Sequence, residues 1–236
     1  MVKRLHIVVL LGIACALGAH IAMDTELKPH NTVLCFDLHD VVLKPDTAER
    51  LKLAVKNPLR TLGLAFDVTS RKGVANGEEY AVRLKKKGLI KQAELVHKFS
   101  SAYKVDTDVF DILKTLKAKG YRVCMASNIG AQNLNDLFNP SLSKKGKNQT
   151  TRMKVREVVE SFDDIISVDY ESQNVITKPS HDYFKIVQDS CGHDKHVIFV
   201  DDKKKNVDAA NACGLDGIRF TSAKQLKQDL EKRRIL

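Results

Sequence analysis

Asp37 ends a run of four apolar residues, Val33 to Phe36, in the stretch "TVLCFDLHDVVLKP". A buried strand reads this way up to its last residue, and a carboxylate at such an exit lies where open parallel sheets bind ligands. His39 follows two residues later, and Asp40 comes next. Further along, "RVCMASN" ends in Ser127 and Asn128, "VITKPSHDYF" carries Lys178, and "VIFVDDKKKNVDAA" carries Asp201, Asp202 and Asn206. Each of these residue types has a task in phosphoryl transfer. A carboxylate such as Asp37 can attack phosphorus and form an aspartyl-phosphate. The Ser127 hydroxyl can hydrogen-bond the transferring group, and the Lys178 ammonium can offset charge on carboxylate and phosphate alike. Asp201 and Asp202 can hold Mg²⁺, a hard cation that takes oxygen ligands. Such a metal reduces repulsion between an anionic nucleophile and an anionic substrate. Taken singly, Ser127 reads as a turn residue, Lys178 as a surface charge and the acidic pair as a helix cap. The joint arrangement carries the chemical reading.

The elements that would position these groups alternate. "DTDVFDILKTLKAKG" has helical spacing at Val109, Ile112, Leu113 and Leu116, with Gly120 as its stop. "YRVCMAS" reads as a buried strand, "VREVVESF" as a short helix and "DIISV" as a strand. "SHDYFKIVQDSCG" is a helix that Ser180 can cap, and "HVIFVDD" a strand ending in two acids. "KNVDAANACG" is a helix closed by Gly214, "GIRF" a short strand, and "SAKQLKQDLEKRR" an amphipathic final helix. This alternation predicts an α/β fold with a Rossmann-like parallel sheet, whose carboxyl edge gathers the strand ends named above. Between Leu43 and about Val105 the strand signal lapses. "TAERLKLAV", "PLRTLGLAF", "GEEYAVRLKKKG" and "LIKQAELVHKFSSAYK" all read as helical, which predicts a helical insertion of about sixty residues after the first strand.

At this point the chain resembles the haloacid dehalogenase (HAD) superfamily. The family's Asp-x-Asp after a hydrophobic strand has its counterpart in "FDLHDVV", its Ser or Thr in "VCMASN", and its Lys in "TKPSHDYF". Its acidic pair with a following Asn matches "FVDDKKKNVDAA", the most specific of the four. The resemblance spans nearly all of residues 32 to 236. It implies a small α-helical cap (43–105) on an α/β core (23–42 and 106–236). It also implies roles. Asp37 is the nucleophile, Ser127 and Asn128 bind substrate phosphate, and Lys178 steadies both nucleophile and phosphate. Asp37, Asp201, Asp202 and the backbone carbonyl of His39 hold Mg²⁺. The family's second aspartate, the acid/base group, is replaced by His39. An imidazolium can protonate a leaving alkoxide and the neutral ring can then take a proton from water, so His39 can substitute, or can mark a lost acid/base step. Asp40 stands where the family often has glycine, so a different local turn is expected.

The leading expectation is a Mg²⁺-dependent phosphatase of a small phosphomonoester. A dehalogenase with an aspartate nucleophile is disfavoured by the metal-binding acids Asp201 and Asp202. A mutase or phosphonate hydrolase is a further enzyme reading. A catalytically impaired protein that binds a phosphorylated ligand or partner is the reading from another class.

Composition bounds these readings. The chain has 236 residues, 43% hydrophobic and 29% charged, which excludes disordered and fibrous classes. The net charge of +10 favours anionic partners, although a lysine-rich solvated surface also explains it and no specific nucleic acid is expected. Residues 1–22 have a basic start, an apolar run and small residues at Ala16, Gly18, Ala19 and Ala22, the form of a signal peptide. Export to a periplasmic or secreted location is therefore expected. A retained anchor is the alternative, and only then is a membrane partner implied. Gly12 gives Cys15 a poor lipoprotein context. Beyond that segment lie Cys35, Cys124, Cys191 and Cys213, with no metal-ligand spacing between any pair, so buried structural thiols are expected. Residues 139–154 read as a polar, basic surface loop, with an Asn-Gln-Thr sequon starting at Asn148. Either a monomer or a homodimer is compatible with the sequence.

Overall fold

The computed structural model describes residues 26–61, 77–100, 102–130, 134, 148–170 and 172–236. Strand β1 (Thr32–Phe36) is buried along its whole length. Its position explains its composition. It pairs in parallel with β4 (Arg122–Gly130) on one side and β6 (His196–Asp201) on the other. A strand covered on both edges and both faces needs a continuous apolar run, and "TVLCF" supplies one. Adding β5 (Asp164–Val168) and β7 (Asp216–Arg219) gives a five-stranded sheet in the order β5-β4-β1-β6-β7, parallel throughout. This is the expected α/β, Rossmann-like core.

Helices cover both faces. Helix α4 (Thr107–Ala118) buries Val109, Ile112, Leu113 and Leu116, the residues whose spacing predicts it. It ends before Gly120, whose φ of +86° is left-handed. With α5 (Asn148–Glu160) and α8 (Ala223–Lys232) it packs on the Leu34, Phe36 and Met125 face of the sheet. Helices α6 (His181–Cys191) and α7 (Lys204–Ala212) pack on the Val33, Cys35 and Phe199 face. Ser180 caps α6 by accepting from the Tyr183 amide, as its position predicts. The chain thus leaves β1 toward one face and β6 toward the other. A crevice opens at the carboxyl ends of such neighbouring strands.

The insertion after β1 is more than helical. Strands β2 (Leu43–Pro45) and β3 (Tyr103–Val105) lie at its two ends and pair antiparallel, Leu43 with Val105 and Pro45 with Tyr103. Sequence reading ran helix through Tyr103 and Lys104. Three residues are too few to set a period, and the partner strand is far away in sequence. Between these strands stand α1 (Thr47–Lys56), α2 (Gly77–Lys86) and α3 (Ile90–Ser100). Helices α2 and α3 share a small core of Tyr80, Ala81, Leu84, Ala93 and Val96.

Helix α5 corrects the reading of a loop through residue 154. The polar start "NQTTRMK", sequon included, lies within the helix. Its turn-forming composition hid an element whose apolar side, Val155, Val158 and Val159, begins only in its second half. Residues 139–147 and the N-terminal segment 1–22 lie outside the described residues. Among the described residues no helix is long and apolar enough to cross a membrane.

Candidate active site

Asp37 is the residue immediately after β1, and its backbone amide donates to the Val200 carbonyl at 2.8 Å. The chain then turns within six residues. The Val42 and Leu43 amides both donate to the Leu38 carbonyl, and the Asp40 amide donates to the Leu43 carbonyl at 2.7 Å. Asp40 sits at φ +65°. That is the left-handed conformation glycine adopts most easily and that Asp tolerates better than most side chains. Asp40 thus adopts the backbone conformation that a glycine at this position would take most easily. The turn holds the short side chain of Asp37 at the strand exit and brings His39 to the crevice edge.

Lys178 joins the separate segments. Its side chain is buried, and its Nζ lies 3.0 Å from Asp37 Oδ1 and 2.7 Å from Asp201 Oδ2. A third contact goes to the Ala126 carbonyl at 2.9 Å. Asn128 fixes this lysine from behind, its side chain accepting from the Lys178 amide and donating to the Lys178 carbonyl. Asn128 thus engages Lys178's backbone, whereas the sequence assigned it to substrate. Ser127 is buried beside Asp37 and helps to lower the pKa of its carboxyl.

Asp201 is held on both oxygens. Asn206 Nδ2 lies 3.0 Å from each, and the Lys203 amide donates to Oδ1 at 2.8 Å. Asp202 differs, because its buried Oδ1 has no hydrogen-bond partner among the described residues. Asp37, Asp201 and Asp202 each present a carboxylate oxygen, all within 4.8 Å of one another.

The electrostatics follow from this crowding. Burial raises the Asp37 carboxyl, but Lys178, with His39 and Ser127, brings it below the ordinary carboxylate value. Asp201 goes the other way, raised by burial and by Asp37 despite the same lysine. One ammonium cannot hold two carboxylates equally ionised. Burial pushes Asp202 up to about 6, opposed by Lys203 and assisted by its carboxylate neighbours. An oxygen-only, charge-crowded set with an orphaned carboxylate oxygen suits a hard divalent cation. Magnesium therefore fits the residues present.

His39 is half-buried, and its ring lies 4.6 Å from that of Tyr103 on β3. The Arg50 guanidinium of α1 lies 4.8 Å over the other ring system of this stack, that of Tyr103. Burial lowers the His39 pKa, opposed by Asp37 and Asp40. Lys203 interacts electrostatically with Asp37, Asp202, Asp201 and Asp40. Sequence reading named neither Tyr103, Arg50 nor Lys203. The lysine run "DDKKKN" carried a signal for Lys203, while nothing local marks Tyr103 or Arg50.

Solved structures resemble this arrangement of elements. The HAD family enzyme BT-2542 from Bacteroides thetaiotaomicron superposes with a TM-score of 0.54 at 16% identity, covering 84% of this chain and 95% of that one. A variant of the same protein in complex with magnesium and inorganic phosphate gives 0.54 at 17% identity, over 83% and 94%. A dehalogenase with an intermediate complex gives 0.50 at 18% identity, over 83% and 85%. The fold is the HAD fold. No protein-family model matches the chain, and no curated protein matches it. In this fold the Asp37, Ser127, Lys178 and Asp201–Asp202 segments come together around the Lys178 ammonium and the carboxylate cluster.

Proposed function

We propose that the chain is a Mg²⁺-dependent hydrolase of a small phosphomonoester. The observation that carries this reading is the junction at Lys178, whose ammonium meets both Asp37 and Asp201 while Asp202 keeps a bare buried oxygen nearby. The magnesium and phosphate bound in the BT-2542 complex support it by analogy of fold. In this proposal Asp37, Asp202, Asp201 and the His39 carbonyl hold the cation. When bound, it offsets the negative charge of nucleophile and phosphoryl group.

Asp37 attacks phosphorus, its new O–P bond forming as the ester O–P bond breaks. Its lowered pKa keeps it ionised and ready. Ser127 and Lys178 hydrogen-bond the phosphoryl oxygens, and Asn128 holds Lys178 in place. His39 in its imidazolium form protonates the leaving alcohol oxygen. Burial favours the neutral ring, but an arriving phosphate dianion adds to Asp37 and Asp40 in favouring the charged one. The neutral ring then takes a proton from the water that hydrolyses the aspartyl-phosphate. The insertion after β1 acts as a cap over this crevice, contributing Tyr103, whose ring meets His39, and Arg50, which lies over Tyr103.

One observation favours a second reading. His39 is packed against Tyr103, and its burial favours the uncharged ring, which fits a site that binds phosphorylated ligands without turning them over. The three-carboxylate cluster weighs against a dehalogenase, whose chemistry needs no cation. The full chain assayed on a panel of phosphomonoesters, with Mg²⁺ and with chelator, separates these readings. We expect turnover that needs Mg²⁺ and falls by about 10³-fold or more in Asp37→Asn. Turnover absent from the wild type but present in His39→Asp establishes the binding reading instead. Full activity in Asp37→Asn refutes the mechanism.

A further inference from the structure

Three cysteines far apart in sequence meet on the face of the sheet that α6 covers. Cys35 of β1 and Cys124 of β4 are register partners on adjacent strands. Cys191 is the last residue of α6, which packs on that same face. All three are buried, at 0%, 0% and 2% exposure. Cys35 Sγ lies 3.4 Å from Cys191 Sγ, and the three sulfurs lie within 4.8 Å of one another. A metal bonded to three thiolates at about 2.3 Å in a plane holds its sulfurs about 4 Å apart, inside that spread.

The surroundings narrow the ion. Asp164 Oδ2 reaches Cys124 Sγ at 3.6 Å, but it is already bound by Arg122 Nε at 2.8 Å. It is also outside the set of ligand atoms that lie mutually within 4.8 Å. Apart from Asp164, the three thiols share an apolar core cluster with Val33, Ala126, Phe184 and Val187. Zinc sites are almost always four-coordinate, and hard cations need oxygen. Sulfur-only ligation, with no fourth side-chain donor in the cluster among the described residues, suits a soft d¹⁰ ion. Arg122, paired with Asp164, also donates to the carbonyls of Ser190 and Cys191 and so ties the end of α6, where Cys191 sits, to the start of β4.

We propose that Cys35, Cys124 and Cys191 form a buried, three-coordinate binding site for Cu(I). Three S–H protons pass to solvent as three Cu–S bonds form, and copper keeps its oxidation state. The site is independent of the phosphatase reading, since none of its ligands contacts substrate in that mechanism. Because the thiols are sealed in the core, the ion enters during folding.

The test uses the full chain carrying Cys15→Ser and Cys213→Ala, so that the three thiols alone remain. It is refolded anaerobically from urea with Cu(I) and a competing Cu(I) chelator. The expected result is one Cu(I) per chain, only sulfur around copper by X-ray absorption with a coordination number of three, and a higher urea midpoint than the metal-free protein. Cys35→Ala, Cys124→Ala and Cys191→Ala should each abolish the single-equivalent binding and the midpoint shift. The absorption measurement on the chain with all three thiols needs no core substitution, so a variant that fails to fold leaves the test intact. A two-sulfur or nitrogen-containing shell, no retention against the chelator, preference for Zn²⁺, or a Cys35–Cys191 disulfide in protein isolated under air overturns the proposal.

Discussion

The site turns on single side chains whose neighbours set their behaviour. In the proposed mechanism His39 does the proton work of a missing carboxylate. Replacing it with Asp is expected to raise kcat by about tenfold, a fraction of the roughly 10²–10⁴-fold that acid/base catalysis supplies. Steady-state kinetics with a preferred phosphomonoester checks this, and an unchanged kcat would show that His39 already serves as well. Asp40 gives a stability prediction independent of function. Its φ of +65° means that Asp40→Gly should fold about as well as the wild type, whereas Asp40→Val should lose about 1–2 kcal/mol. Urea unfolding measures both. Lys178 is held by two carboxylates with its side chain 1% exposed. Its removal in Lys178→Ala strands both acids in the interior, so a loss of about 3–5 kcal/mol is expected, measured the same way.

At the scale of elements, the paired ends of the insertion matter most. Strands β2 and β3 bring Tyr103 beside His39, and Asp106 locks the exit of that pair. Asp106 caps α4 by accepting from the Asp108 amide, and its carboxylate lies 2.5 Å from Lys44 Nζ of β2. Its own amide donates to the Val42 carbonyl. One residue thus ties the insertion's base to the first helix of the core. Asp106→Ala should cost about 1–2 kcal/mol through the lost cap alone. Tyr103→Ala should lower kcat by about tenfold by freeing the His39 ring, and Tyr103→Phe should restore it, because the ring contact and not the hydroxyl does the positioning. A structural role without positioning would move the unfolding midpoint and leave kcat unchanged.

At the scale of the molecule, the C-terminal helix α8 is tied to the last strand by charge as well as by Leu226 and Leu230. Arg233 grips Asp216 of β7 with two bonds of 2.8 Å. The Asp216 carboxyl is held well below the usual carboxylate range by Arg233, with His196 assisting. Its folded pKa therefore lies under the unfolded value of about 3.9. The pair's stabilisation is fully present above that unfolded value and is lost as pH falls through the folded one. Arg233→Gln should cost about 1–2 kcal/mol at pH 7, with the difference shrinking below about pH 4. Unfolding curves across that range check the sign. Much of this molecule was legible in one dimension. Apolar runs of strand length, helical spacing and Ser180 or Gly120 as punctuation specify the alternating core, because each depends on neighbours within a few residues. The strand exits at Asp37 and Asp201 were legible for the same reason, whereas Ser127, Lys178 and Asp202, unremarkable singly, were picked out only by the resemblance of the four segments taken together. What tertiary structure alone decided are the pairings across distance. These are β2 with β3, Tyr103 against His39, Asn128 bracketing Lys178, and the meeting of Cys35, Cys124 and Cys191. None has a local periodicity to announce it, since each depends on how the folded sheet and insertion bring remote residues together. The stretch "FDLHDVV" divides the same way: the sequence placed Asp37 at a strand exit, and the fold gave His39 its ring partner and Asp40 its left-handed turn.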